Sequence, residues 1–253
     1  MFADDALTTD GFLGGAVRIL QPRVGYRAAT DPVLLAASVL AKAGQSVLEL
    51  GCGAGVASLC LAARVPGLQL WGVDVQPAYA DLARRNAVLN GAALSVYEAD
   101  IAALPAALRA LRFDHVIVNP PYYPQAGGTG AADAGRETAL REAQPLADWV
   151  AVGARRLAPG GWLTMIVAAD RLPDVLPGFA AGLGAVAVLP LLPRTGRAAH
   201  RVILRGRKGA RAPFRLMAGF VLHDGVAHDG DRNSYTEAAR AVLRGGAPLE
   251  WGN

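Results

Sequence analysis

Short apolar runs alternate with stretches of helical spacing over most of the chain, and this alternation predicts a fold class before any motif is considered. Runs at 16–21, 47–50, 70–73, 94–97, 113–118, 162–167, 185–192 and 201–205 have the length and the flanking turn residues of strands. Between them, helices are predicted from Asp31-Pro32 through Val33, Leu34, Ala37 and Leu40, and over 56–63, 81–89, 145–157 and 172–183. Asp31 reads as the N-cap of the first, with Pro32 placed where its missing donor costs nothing. Ala158-Pro159-Gly160-Gly161 reads as a helix stop, and Ser234-Tyr235-Thr236-Glu237 as a capping box for a last short helix ending at Gly245. Strands alternating with helices in this way predict an α/β fold, a doubly wound parallel sheet.

The ends of the predicted strands carry the candidate chemistry. Residues 47–50 run into Gly51-Cys52-Gly53-Ala54-Gly55, a strand-to-helix turn that lets a ligand approach bare backbone amides. Asp74 closes the next strand, 19 residues past Gly55, where a carboxylate accepts both hydroxyl protons of a ribose. The third ends in Glu98-Ala99-Asp100-Ile101, and the fourth in Asn119-Pro120-Pro121-Tyr122-Tyr123. Two prolines stop a strand abruptly and stiffen the ledge on which Asn119 and Tyr122 stand. An amide with a carbonyl acceptor and an NH2 donor, beside a flat phenol ring, suits a planar molecule carrying an amine. A plain strand-terminating turn is the alternative for the pentapeptide alone. Glycine turn, ribose-type acid, second acid and proline ledge in this order make the ligand site the stronger reading.

Composition narrows the setting. With 53% hydrophobic and 18% charged residues the chain is a folded globule. Its net charge of +4 mildly favours an anionic partner. Cys52 and Cys60 make no disulfide framework and no metal-ligand spacing, which fits a reducing cytoplasm. The longest uncharged stretch, 175–193, is broken by prolines and glycines and does not suit a membrane span. Residues 124–145 read as a long loop beside the site, where Arg136 and Arg141 are either phosphate contacts or solvated charges. Eight basic residues between Arg194 and Arg215, uninterrupted by acids, are either a phosphate-backbone footprint or a solvated hairpin face. His223 and His228 are too isolated for a metal site and read as surface or loop residues.

Glu49-Leu50-Gly51-Cys52-Gly53-Ala54-Gly55, Asp74, Asp100 and Asn119-Pro120-Pro121-Tyr122 together resemble the ordered motifs of S-adenosylmethionine-dependent amino-methyltransferases. Gln21-Pro22-Arg23-Val24-Gly25-Tyr26-Arg27, Thr30-Asp31-Pro32-Val33-Leu34-Leu35 and the stretch from Arg201 to Gly209 are similar to the bacterial tRNA adenine-N6 methyltransferase group, which modifies a valine tRNA next to its anticodon. The resemblance implies a Rossmann-like class I methyltransferase fold, a seven-stranded, mostly parallel sheet with an antiparallel C-terminal hairpin. One methyltransferase domain is expected over 1–253: a lead-in segment 1–45, a catalytic sheet core 46–207 and a C-terminal extension 208–253.

It further implies S-adenosylmethionine as cofactor, RNA (a tRNA) as partner, and neither metal nor membrane. Gly51, Cys52 and Gly53 would approach the methionine part by backbone, with Glu49 beside its amino group. Asp74 and Val75 would meet the ribose side, Asp100 and Ile101 the adenine ring, and Thr30 and Asp31 would close the pocket. Asn119 and the Pro120 carbonyl would accept from the target NH2, Pro121 would keep the ledge stiff, and Tyr122 would stack on the base. Tyr123 either touches the base or packs below the ledge. Arg136, Arg141, Arg205, Arg207 and Lys208 are the candidate RNA contacts. Three rivals stand beside this reading: glutamine-N5 methylation of a protein, a nicotinamide-dependent dehydrogenase, and a binding module without turnover. The dehydrogenase is weakened by a third glycine at the wrong spacing for G-x-G-x-x-G.

Overall fold

This computed structural model describes residues 1–121, 123–124, 141–142, 144–225 and 234–252, with backbone alone for 123, 124, 141 and 142. The strands in chain order are β1 (Leu7–Phe12), β2 (Val17–Pro22), β3 (Ser46–Leu50), β4 (Gln69–Asp74), β5 (Leu94–Glu98), β6 (Phe113–Val118), β7 (Tyr123–Pro124), β8 (Arg141–Glu142), β9 (Leu157–Ala168), β10 (Gly184–Leu192), β11 (Arg201–Arg207), β12 (Arg215–Leu216) and β13 (Phe220–Val221). The large sheet runs β12-β10-β11-β9-β6-β3-β4-β5, with β13 also on β10. Strands β9, β6, β3, β4 and β5 are parallel neighbours, and β11 is antiparallel to both β9 and β10. Seven of these strands form the expected sheet with its antiparallel end. The short β12 and β13, parallel to β10, extend it to nine.

Strands buried on both faces carry near-continuous apolar runs, and alternate residues feed two cores. Val47, Ile117, Ile166 and Ile203 pack with the helices Asp31–Ser38 and Val56–Arg64. Leu48, Val116, Met165 and Leu204 pack on the opposite face with Trp149 and Val150 of the helix Leu146–Arg156 and Phe179 of the helix Leu172–Gly182. The chain goes from β3 outward to β4 and β5, then crosses back to β6 on the other side of β3. That reversal opens a crevice at the carboxyl ends of β3 and β6, where such sheets take ligands.

Several sequence expectations are revised. The strand read at 16–21 is β2, paired antiparallel with β1, whose Thr8, Thr9 and Asp10 hid it from a hydrophobic pattern. Asp31 is the first helical residue and not the cap: Thr30 precedes it, and the Asp31 carboxylate accepts from Arg201 Nε at 2.9 Å. That helix ends at Ser38, so Leu40 lies beyond it, half-exposed. The last helix, Glu237–Gly245, is capped by Thr236, whose Oγ1 accepts from the Ala239 amide, while Ser234 Oγ bonds His223 Nδ1. His223 also stacks on Tyr235 at 4.6 Å; His228 lies outside the described residues. The stop at 158–161 ends a helix but falls inside β9, which begins at Leu157. Among the described residues no helix is long and apolar enough to cross a membrane.

The chain's end is tied into the first core. Trp251 is buried, its Nε1–H donates to Ser38 O at 2.9 Å, and the Arg205 guanidinium lies 4.1 Å from its ring centroid. Trp162 flanks the same guanidinium at 5.0 Å. Burial and the nearby Arg215 pull the Arg205 pKa down to about 10. Trp251→Ala removes a large buried ring and a cation–π partner together. The expected loss is about 3 kcal/mol of unfolding free energy, read by urea denaturation. A loss under about 1 kcal/mol would show that this tail is not part of the core.

Candidate active site

Three successive left-handed glycines shape the turn after β3: Gly51 (φ 68°), Gly53 (φ 52°) and Gly55 (φ 81°). Side chains at such φ are strained, and at Gly51 a Cβ would also press to 3.0 Å from the Trp149 ring. Among the described residues other than its two chain neighbours, none comes within 4 Å of where a Gly53 Cβ would sit, so the backbone is bare on that side. The turn is held from neighbouring strands. Cys52 N–H donates to Val73 O at 2.9 Å, and Gly53 N–H to Asp74 Oδ2 at 2.8 Å. The other Asp74 oxygen accepts from Gln76 N at 2.9 Å. Burial raises the Asp74 pKa, with these two amide bonds acting against the rise.

Glu49, next to the carboxyl end of β3, faces the helix Val56–Arg64. That helix starts at Gly55, which has no side chain to cap it, and Glu49 Oε2 does so instead, accepting from Ser58 N at 3.0 Å and Ser58 Oγ at 2.5 Å. Oε1 has no donor among the described residues. Burial pushes the Glu49 pKa up to about 7, the Ser58 bonds lower it and Asp74 raises it further. Cys52 is buried among the same groups, and its thiol is pushed well above its usual value by burial, Asp74 and Glu49. It is an inert wall group rather than a nucleophile. Beyond β5, Asp100 Oδ1 accepts from Ala102 N at 2.8 Å and from Gln144 Nε2 at 2.5 Å.

These groups line one cleft of about 1040 Å³, counting its mouth open to solvent. The sequence-predicted Glu49, Gly51, Cys52, Gly53, Asp74, Val75, Asp100, Ile101, Asn119, Pro120 and Pro121 all lie on its wall. Thr30 and Asp31 do not: the ion pair with Arg201 holds Asp31, and Pro32 takes the place on the wall. Tyr122 and Arg136 lie outside the described residues, as do the side chains of Tyr123 and Arg141. Arg205, Arg207 and Lys208 are placed away from the cleft. Strand β11 runs antiparallel to β9, so Arg201 pairs with Ala168 at the cleft end and Arg207 with Trp162 at the other. Six residues of strand separate them by roughly 20 Å. Lys208 Nζ donates to Ala154 O and Leu157 O, capping a helix end, and Arg207 Nε donates to Gly160 O.

The wall also contains residues that the sequence pattern did not single out. Ala28, Gln76, Tyr79, Gln144 and Trp149 are among them, and Tyr26, from the segment 21–27 quoted for its resemblance, joins them. The Tyr79 hydroxyl donates to Tyr26 O at 3.0 Å and accepts from Tyr26 N at 2.8 Å, pinning the N-terminal segment over the mouth. Trp149 Nε1 and Gln144 Oε1 are enclosed with no partner among the described residues. No motif spacing marks Ala28, Gln76, Tyr79, Gln144 or Trp149. Among the described residues no group of three or more His, Cys, Asp or Glu side chains can hold a metal ion.

A family model described as methyltransferase small domain matches residues 29–176. The tRNA1(Val) (adenine(37)-N6)-methyltransferase of Porphyromonas gingivalis is 32% identical over 178 residues, 67% of this chain and 69% of that protein. The release factor glutamine methyltransferase of Geobacter sulfurreducens is 32% identical over 142 residues, 53% of this chain and 49% of that protein. Among solved structures, a predicted O-methyltransferase of Agrobacterium tumefaciens aligns with TM-score 0.68 and 23% identity, covering 87% of this chain and 98% of that one.

The Glu49 pKa gives this site a pH signature. Unfolded, the carboxyl titrates near 4.5; folded, near 7. The stability it contributes is therefore fully present below about 4.5 and lost as pH rises through 7. Relative to wild type, Glu49→Gln should gain on the order of 3 kcal/mol between pH 4.5 and 8. Paired unfolding curves at the two pH values read this directly, and an unchanged difference would mean that Glu49 does not titrate in this range.

Proposed function

The chain belongs to the methyltransferase small domain family, and from that premise we propose that it methylates the exocyclic N6 amine of an adenine in structured RNA, a tRNA near its anticodon. The observation that carries the reading is one of placement: the Asn119-Pro120-Pro121 ledge and the Gly51-to-Gly55 bend share one cleft. The strands that carry them, β6 and β3, are direct neighbours, paired through Leu50 and Val118. A tRNA substrate puts the protein in the cytoplasm. The name of the Porphyromonas relative supports the adenine reading.

The cofactor is S-adenosylmethionine, and the wall fits it: a glycine cradle that a Cβ would fill, and a buried acid with one oxygen that has no donor among the described residues. Gly51, Cys52 and Gly53 would hold its amino-acid part by backbone, with Glu49 beside the ammonium. Asp74 would hold the ribose hydroxyls, while Val75, Asp100 and Ile101 would border the adenine. When bound, the cofactor supplies an electrophilic methyl group. The chain's own task is to present a nucleophile. Asn119 and the Pro120 carbonyl accept hydrogen bonds from the target amine, which leaves the nitrogen lone pair facing the donor side. Positioning of this kind is worth up to about 7–11 kcal/mol. The base has to be unstacked to enter, and Tyr122 is the ring proposed to stack on it.

A protein glutamine amide is also planar and carries an NH2, and the Geobacter relative keeps that second reading in play. Incubation with tritiated S-adenosylmethionine, bacterial tRNA and a release factor separates the two. The expected outcome is label in the RNA; label in the protein alone overturns the adenine reading. Asn119→Ala should bind S-adenosylhomocysteine within about threefold of wild type while turnover falls roughly 10²-fold or more. Loss of ligand affinity instead would overturn this division of roles.

A further inference from the structure

Ser58 has no part in the roles assigned above, yet both of its donors converge on one oxygen. It is fully buried, it is the third residue of its helix, and its amide and hydroxyl both reach Glu49 Oε2. A serine inside a helix can turn its hydroxyl back to a carbonyl of the preceding turn. Here the hydroxyl goes instead to a carboxylate on the neighbouring strand. With Oε2 taken by two donors, Oε1 is the oxygen that Glu49 has to offer on the cleft wall.

We propose that Ser58 is a positioning residue for the cofactor's ammonium group: its amide and hydroxyl fix the rotamer of the Glu49 carboxylate, so that Oε1 is presented to cationic amino-acid ligands. The inference rests on the cofactor reading of this cleft and deepens it. Among the described residues, the titratable groups that interact with Glu49 are Cys52 in the glycine turn, Asp74 at the end of β4 and Cys60 on the same helix as Ser58. None of the three is a cation. Both thiols are held neutral, Cys60 being pushed up to about 12 by burial and by Glu49, and Asp74 is a like charge. Without a ligand, the two Ser58 bonds are therefore what counters burial and Asp74 at Glu49. An arriving ammonium adds the missing positive charge.

The sign of the pH dependence follows. An ammonium binds the ionised carboxylate, and unliganded Glu49 ionises near 7. Below that value a proton must leave before the ligand is held, so affinity falls by up to about tenfold per pH unit; above it affinity is level. Loss of the Ser58 hydroxyl removes a bond that favours the charged form, which moves the midpoint up.

The test is calorimetric binding of two ligands between pH 6 and 8. S-adenosylhomocysteine carries the ammonium; 5′-methylthioadenosine keeps the adenosine and sulfur but has no amino-acid part. For wild type, affinity for the first should rise with pH to a plateau above 7, with affinity for the second flat. Ser58→Ala should weaken S-adenosylhomocysteine roughly tenfold at pH 7 and shift its midpoint upward. The same variant should leave 5′-methylthioadenosine unchanged, which also shows that it is folded. Ser58→Thr, which keeps a hydroxyl, should restore most of the loss, and Glu49→Gln should flatten the pH curve. Equal weakening of both ligands by Ser58→Ala, or a wild-type curve without pH dependence, overturns the proposal. Failure of wild type to bind either ligand overturns the cofactor reading itself, a separate outcome.

Discussion

A bend of left-handed glycines is held open by two buried carboxylates, and the rest of the site depends on that arrangement. Gly55 starts its helix without a side chain to cap it, so the first-turn amides need partners from elsewhere. Glu49 reaches them from β3, and Asp74 takes the Gly53 amide from the end of β4. Each acid is thereby fixed by backbone donors in a dry setting that disfavours its charge. The same contacts position the bend against β4 and the ledge after β6. Burial raises the pKa of both acids, so the folded protein carries their charge at a cost in stability.

Chemistry at such a site relies on placement. The cleft has no group of metal ligands among the described residues, and its cysteine is a neutral wall group. What it offers is a rigid amide beside a cradle, built on adjacent strands whose register is fixed through Val47 to Leu50. A ledge stiffened by two prolines loses little further entropy when it orients a substrate. This economy is the physical content of the methyl-transfer reading.

The parts of the fold legible in the sequence were those written in short local patterns. The glycine turn, Asp74, Asp100 and Asn119-Pro120-Pro121 each follow a strand that announces itself as an apolar run, and all of them line the cleft. Trp149 and Tyr79 were not legible, because they arrive from helix faces and tertiary packing alone brings them to the cleft, whereas Tyr26 lies in the segment 21–27 quoted for its resemblance and only its place on the wall was not legible. Strand β1 escaped notice because its outward face is polar. The basic stretch is a different case. Its cations are close in sequence, but β11 carries Arg205 and Arg207 away from the cleft, where one is sandwiched by Trp162 and Trp251 and the other bonds Gly160 O. Charge density along a chain does not give direction; strand polarity does. Asp31 illustrates the same point, since a residue suited to capping a helix is drawn to Arg201 on a strand 170 positions away.

The central claim is that the ledge presents an exocyclic amine, and not a ring nitrogen or a carbon, to the methyl donor. Nucleoside mass spectrometry of tRNA treated with the enzyme and S-adenosylmethionine tests it most directly. The account predicts N6-methyladenosine as the new nucleoside. A product methylated on a ring nitrogen, or on a base without an exocyclic amine, would contradict it.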